Sequence, residues 1–351
     1  MDLLPGVRSH TTRTSRLSMF WLEHGPEDGV PVVLVHGNLS TSRYYEHVLP
    51  GAPGRLRFIV PDMRSFGRSQ RLPIDATRGL RDWSDDIASL VAELGITARV
   101  HLVGWSTGGA AIAQYAIDHG PVASLTFVDT VSPYGYGGVK LDGTPCFPDN
   151  AGAGGGGANP ELVQRLRDGD RSAESPFSPR NVMNSLYWSP AHRESPERED
   201  LLVEEMLLTV IGDTCYPGET TASANWPGFA PGTAGILNAV SPRYCTWSGI
   251  VDLDPLPPVL WTHGQNDGVV ADGSMLEMGT LGTAGYIPGW PGPEIYPPQP
   301  MVTQTATVLT TYAQRGGSVR TQMFPGSGHG PMFDARERWC EVLFDFLLKN
   351  C

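Results

Sequence analysis

Val100-His101-Leu102-Val103-Gly104-Trp105-Ser106-Thr107-Gly108 is the stretch on which the fold turns. The apolar run up to Val103 reads as a short buried strand, and Gly109 to His119, stopped by Gly120, reads as a helix. A serine between them, flanked by Gly104 and Gly108, fits a sharp strand-to-helix turn. On such a turn the serine takes strained backbone angles, so its neighbours must be small, and Oγ is lifted out of the sheet edge. The helix that follows aims its positive end and free N–H groups at the same point.

Outward from this turn, other short β-branched runs recur. Val32 to Val35 stops at His36-Gly37, Phe58 to Val60 stops at Pro61, and Leu125 to Val128, Pro258 to Trp261 and Val319 to Phe324 follow. Apolar strands of this length, separated by helices, predict a parallel sheet covered on both faces. Trp83, Ile87, Leu90, Val91 and Leu94 form one helical stripe, with Ser84 or Asp82 as a start cap and Gly95 in the left-handed position after its end. In the final helix Trp339, Val342, Leu343 and Phe346 share a face, and Asp334 with Glu337 resembles a capping box.

Between about residues 132 and 250 the alternation fails. Glycines and prolines crowd this stretch, with amphipathic pieces at Pro160 to Leu166 and Leu201 to Ile211. The expectation is an α/β fold: a mostly parallel, doubly wound sheet carrying an inserted, mainly helical cap that a mobile loop leads into. The core's first part is residues 1–131, the cap 132–250, and the core's second part 251–351. Gly282 to Pro300 is expected to wrap the surface. Gly152 to Gly157 matches GxGxxG in form, yet no strand precedes it and no acid follows about 20 residues on, so it is read as low complexity without a nucleotide site.

A serine hydroxyl needs a base. His329, in Gly326-Ser327-Gly328-His329-Gly330, follows the strand ending at Phe324 and precedes the final helix, the one placement among nine histidines that suits a base. The base in turn needs an acid to fix its tautomer. Asp267 follows the strand ending at Trp261 and gives the chain order serine, acid, histidine; Asp129, at the end of an earlier strand, is the alternative acid. An oxyanion would be received by the amide of Thr107 and by that of Asn38, in the loop His36-Gly37-Asn38, with His36 supporting the loop.

Taken together, Val35-His36-Gly37-Asn38, Asp62-Met63-Arg64-Ser65-Phe66-Gly67-Arg68-Ser69, Gly104 to Gly108, His263 to Asp267 and Gly326 to His329 resemble the α/β-hydrolase superfamily over almost the whole chain. The first two segments look like haloalkane dehalogenases and epoxide hydrolases, which use aspartate where this chain has Ser106. An alkyl–serine ether is not hydrolysed as an ester is. The resemblance therefore implies serine chemistry on a carboxylic ester or lactone, or on a carbon–carbon bond beside a carbonyl. The Asp62 to Ser69 segment is read as a structural turn. Alternatives are a non-hydrolytic enzyme such as a perhydrolase or lyase, or a receptor-like homologue that binds without turnover.

Tyr134, Tyr136, Phe147, Tyr187, Trp188, Trp226, Phe229 and Trp247 are expected to line an apolar cavity for a hydrophobic small molecule. A net charge of −12 disfavours nucleic acids and anionic membranes. Five scattered cysteines without a CxxC pair fit reduced thiols in a cytoplasm, with neither disulfide nor zinc site. No apolar run of about 18 residues occurs. No cofactor or metal is expected, and a homodimer is left open.

Overall fold

The structure is a computed structural model that describes residues 2–351. Eight strands form its central sheet: β1 (Arg8–Arg13), β2 (Ser18–His24), β3 (Val30–Val35), β4 (Leu56–Pro61), β5 (His101–Trp105), β6 (Ser124–Val128), β7 (Val259–Gly264) and β8 (Val319–Phe324). They lie side by side in the order β1-β2-β4-β3-β5-β6-β7-β8. From β4 to β8 every pair is parallel; β2 joins β4 and β1 antiparallel. The expected α/β sheet is therefore present, and the antiparallel β1–β2 hairpin is an addition the sequence reading did not include.

Helices α1 (Arg81–Glu93) and α2 (Thr107–His119) cross between the central strands. The α1 stripe is buried as its spacing predicts: Trp83, Ile87 and Leu90 have no exposure. Gly95 takes φ +65 after the helix end. The predicted start cap fails, because Leu80 is the N-cap and supplies no side-chain bond. Asp82 is instead occupied by the Asp75 amide and by Arg16, Arg64 and Arg78. Three arginines and a backbone donor offer more than the free amides of one turn.

Between β6 and β7 the chain leaves the sheet. Its regular structure there is chiefly helical, with α3 (Pro160–Asp168), α4 (Pro179–Leu186) and α5 (Pro196–Met206) joined by long loops and short strand pairs. Each helix starts on a side-chain cap followed by proline: Asn159, Ser178 and Ser195. The glycine-rich stretch is closely packed. A Cβ on Gly152 would stand 2.1 Å from Tyr296 Oη, and one on Gly154 would stand 2.3 Å from Asn238 Oδ1. Glycine serves close approach here. The Gly282 to Pro300 segment likewise does more than wrap the surface, since Tyr296 and Gln299 are fully buried and Gln299 bonds Gly135 O and Gly137 N.

The longest helices after β7 and β8 are α6 (Met301–Gln314) and α7 (Arg336–Lys349). Trp339, Val342, Leu343 and Phe346 are all buried, as expected of the final helix. No helix among the described residues is long and apolar enough to cross a membrane.

Candidate active site

Ser106 sits between β5 and α2 at φ +55, ψ −118, a region that L-residues rarely enter. Three glycines make this turn sterically possible. A Cβ on Gly104 would lie 2.4 Å from Gly108 O; on Gly108, 2.4 Å from Val35 O and 2.6 Å from His36 O; on Gly109, 2.2 Å from Thr130 Oγ1. The Ser106 amide is tied to Val128 O at 2.9 Å, which locks the turn to β6.

His329 leaves the loop after β8 and Asp267 the turn after β7. Nδ1 of His329 donates to Asp267 Oδ2 at 2.8 Å. Asp267 Oδ1 accepts the Val269 amide at 2.7 Å and the Val270 amide at 3.0 Å. The carboxylate is thus held by three donors and fixes the tautomer that leaves Nε2 unprotonated. Trp105, next to the serine, joins the imidazole to the turn: its Nε1 donates to His329 O at 2.6 Å and the two rings lie 5.5 Å apart. Among the described residues no hydrogen bond connects Ser106 Oγ to the imidazole. Serine–histidine bonds in unliganded sites are commonly loose and tighten on substrate.

Asn38 and Thr107 present backbone amides at this place, and neither amide has a hydrogen-bond acceptor among the described residues. Gly37 brings the Asn38 loop against the serine, with a Cβ position 3.0 Å from Ser106 Cβ. His36 supports the loop. Its Nδ1–H donates to Gly37 O at 2.7 Å and its Nε2 accepts the Met63 amide at 2.9 Å. Complete burial holds its pKa down to about 4, so the ring is neutral.

Among the described residues Asp129 makes no hydrogen bond to His329. Its Oδ1 accepts the Gly264 amide at 2.8 Å and lies 3.3 Å from His263 Nδ1. Side-chain N and O atoms of Asp129, His263 and Asp267 fall within 4.8 Å of one another and form a buried polar cluster in which Asp267 already accepts three hydrogen bonds. The sequence reading missed His263 as a member of it.

It also misplaced Asp334. No capping box forms, for α7 begins at Arg336 with Ala335 as an N-cap lacking a side-chain bond. Asp334 Oδ2 instead accepts the amides of Gly328 and Ser189, each at 2.8 Å, and Oδ1 accepts Ser327 Oγ. One carboxylate therefore clamps the histidine loop to the insertion.

The insertion aromatics pack on one another and on the core. Tyr187 lies edge-on to Trp105 and Trp188 to Phe333, while Trp247 stacks on Phe127 in the core and Trp226 meets Tyr296. Tyr187 Oη donates to Asn38 O at 3.2 Å and Leu39 O at 3.1 Å, pinning the insertion to the amide-bearing loop. The Asp62 to Ser69 segment is a buried turn: Asp62 accepts the Ser42 and Arg68 amides, and burial raises its pKa to about 6. Arg68 from that turn forms a two-pronged pair with Glu205 of α5 at 2.7 Å. Ser106 and Asp267 are 7% exposed and His329 2%, so the three side chains are largely buried.

A family model described as the alpha/beta hydrolase family matches residues 32–342. The cis-3-alkyl-4-alkyloxetan-2-one decarboxylase of Xanthomonas campestris pv. campestris is 32% identical over 126 residues, 34% of this chain and 38% of that protein. The non-heme chloroperoxidase of Streptomyces lividans is 32% identical over 137 residues, 38% of this chain and 48% of that protein. The chain thus spans under half the length of these relatives. An esterase from Rhodococcus sp. ECU1013 shares the fold with a TM-score of 0.59 at 19% identity, over 99% of this chain and 100% of that one.

Proposed function

Because this match makes the chain a member of the alpha/beta hydrolase family, we propose that it is a serine hydrolase cleaving a carboxylic ester or lactone of a hydrophobic small molecule through an acyl-serine intermediate. The observation that carries this reading is the His329–Asp267 bond of 2.8 Å together with a serine at φ +55 on a strand-to-helix turn whose preceding residue, Trp105, donates to His329 O.

The chemistry follows from the parts. Ser106 Oγ attacks the carbonyl carbon as its proton passes to Nε2 of His329. The oxyanion that forms is received by the Asn38 and Thr107 amides, the latter at the positive end of α2. Asp267 stabilises the imidazolium through Nδ1–H. The imidazolium then protonates the leaving alkoxide, and the carbon–oxygen bond breaks to leave acyl-Ser106. Water, losing a proton to His329, attacks the acyl carbon; the serine leaves with that proton and the acid is released.

The aromatic shell of Tyr44, Trp105, Tyr187, Trp188 and Phe333 supports an apolar substrate. The name of the Xanthomonas relative, an alkyl-substituted four-membered lactone's decarboxylase, lends support to the lactone side of the reading.

The test is release of p-nitrophenol from short acyl esters, followed through burst and steady state, in wild type and Ser106→Ala. We expect a burst in wild type and a rate loss of at least about 10³-fold in the variant. Equal rates would remove Ser106 from the mechanism.

A further inference from the structure

Asp129 presents a puzzle of charge. It is fully buried at φ +43 after β6. Oδ1 accepts the Gly264 amide, yet Oδ2 has no donor among the described residues. Beside it lies the carboxylate of Asp267, itself buried and already satisfied as an anion by His329 and two amides. Two anions side by side in a dry interior repel, and a carboxylate oxygen with no donor there is costly.

The surroundings offer no cation to offset the second charge. Asp267 and His263 face Asp129 from β7 and its following turn, Asp334 from the segment before α7, and Tyr45 from the turn after β3. No lysine or arginine pairs with Asp129 among the described residues. His263 stands 3.3 Å from Asp129 Oδ1 and 4.0 Å from Asp267 Oδ2, and its burial favours the neutral ring. A neutral imidazole cannot balance two carboxylates.

A proton on Oδ2 resolves both difficulties. It removes the repulsion and turns an orphan acceptor into a donor, for which the Asp267 carboxylate is the acceptor. We infer that Asp129 is a neutral carboxylic acid at physiological pH, hydrogen-bonded to Asp267, and acts as a positioning residue that fixes the Asp267 carboxylate toward His329. Burial and the Asp267 charge both push the Asp129 pKa well above the ordinary carboxylate range, in keeping with this. The positioning role rests on the hydrolase reading of Asp267; the protonation state does not. The arrangement resembles two carboxyl groups sharing one proton, with the difference that only Asp267 touches the imidazole.

Two measurements test it. Infrared difference spectroscopy of wild type against Asp129→Asn at pH 7.5 should show a carboxylic-acid carbonyl band in wild type that the substitution removes. If the variant does not fold, wild type alone decides, and absence of any such band overturns the inference. In kinetics, Asp129→Ala should lower kcat by about tenfold with little change in KM, and Asp129→Asn, which keeps a neutral donor, should recover most of that loss. An Asn variant as impaired as Ala at equal Tm would mean that the charge is needed, and would overturn it. A band that vanishes with Asp129→Asn in a protein without esterase activity would retire the hydrolase reading while sustaining the shared proton.

Discussion

Replacing Asp334 by alanine should destabilise the fold and slow the reaction together, because one carboxylate serves both. Its Oδ2 receives the amides of Gly328 and Ser189 at 2.8 Å, and Oδ1 receives Ser327 Oγ. Ser327 and Ser189 are 2% and 8% exposed, so water replaces the lost acceptor poorly. Each buried donor left unmet costs about 1–3 kcal/mol, and the two amides together give an expected loss of about 2–4 kcal/mol once local relaxation is allowed. The freed loop carries His329, the next residue after Gly328, so kcat should fall about tenfold while KM changes less. Asp334→Asn keeps one acceptor and should lie between. Urea unfolding of the three proteins gives the stability term, and initial rates give the other. A loss under about 0.5 kcal/mol with kcat unchanged, the size of an ordinary surface substitution, would refute the clamp.

Two further expectations concern the turn and its support. Gly108→Ala places a Cβ 2.4 Å from Val35 O and 2.6 Å from His36 O, both backbone atoms of β3 and its loop, so it should abolish activity or folding; a well-folded variant with wild-type kcat/KM would contradict the steric account. His36 has a folded pKa of about 4 against about 6.5 in an unfolded chain. Between those values the unfolded state binds the extra proton, so stability is present above about pH 6.5 and lost as pH falls toward 4, by up to about 3 kcal/mol from this group. Urea midpoints measured across that range should slope less in His36→Gln; an identical slope would show that His36 contributes nothing to it.

The parts of the fold that could be read in advance are those where a short local pattern admits one solution. Gly104, Gly108 and the strand before Ser106 fit together only as a tight turn, and the α1 stripe only as a buried helix face. Asp267 and His329 were legible because each follows a strand of the same sheet, whose parallel order brings their loops to one edge. Where several solutions fit locally, distant partners decided. Asp334 and Glu337 match a capping box, but the amides of Gly328 and Ser189 compete for the carboxylate and win it. The glycines from 152 to 157 look flexible in sequence, although small size serves equally for packing against Tyr296 and Asn238. The Arg68–Glu205 pair joins residues from a turn and an insertion helix, a relation that no local spacing encodes.

The central claim is that Ser106 becomes covalently modified during turnover. Treating the protein with a fluorophosphonate, then digesting it and weighing the peptides, asks this directly. We expect one phosphonyl group on the peptide containing Ser106, loss of ester hydrolysis in step with labelling, and no label in Ser106→Ala. A wild-type protein that hydrolyses esters yet takes the label elsewhere, or not at all, would contradict it.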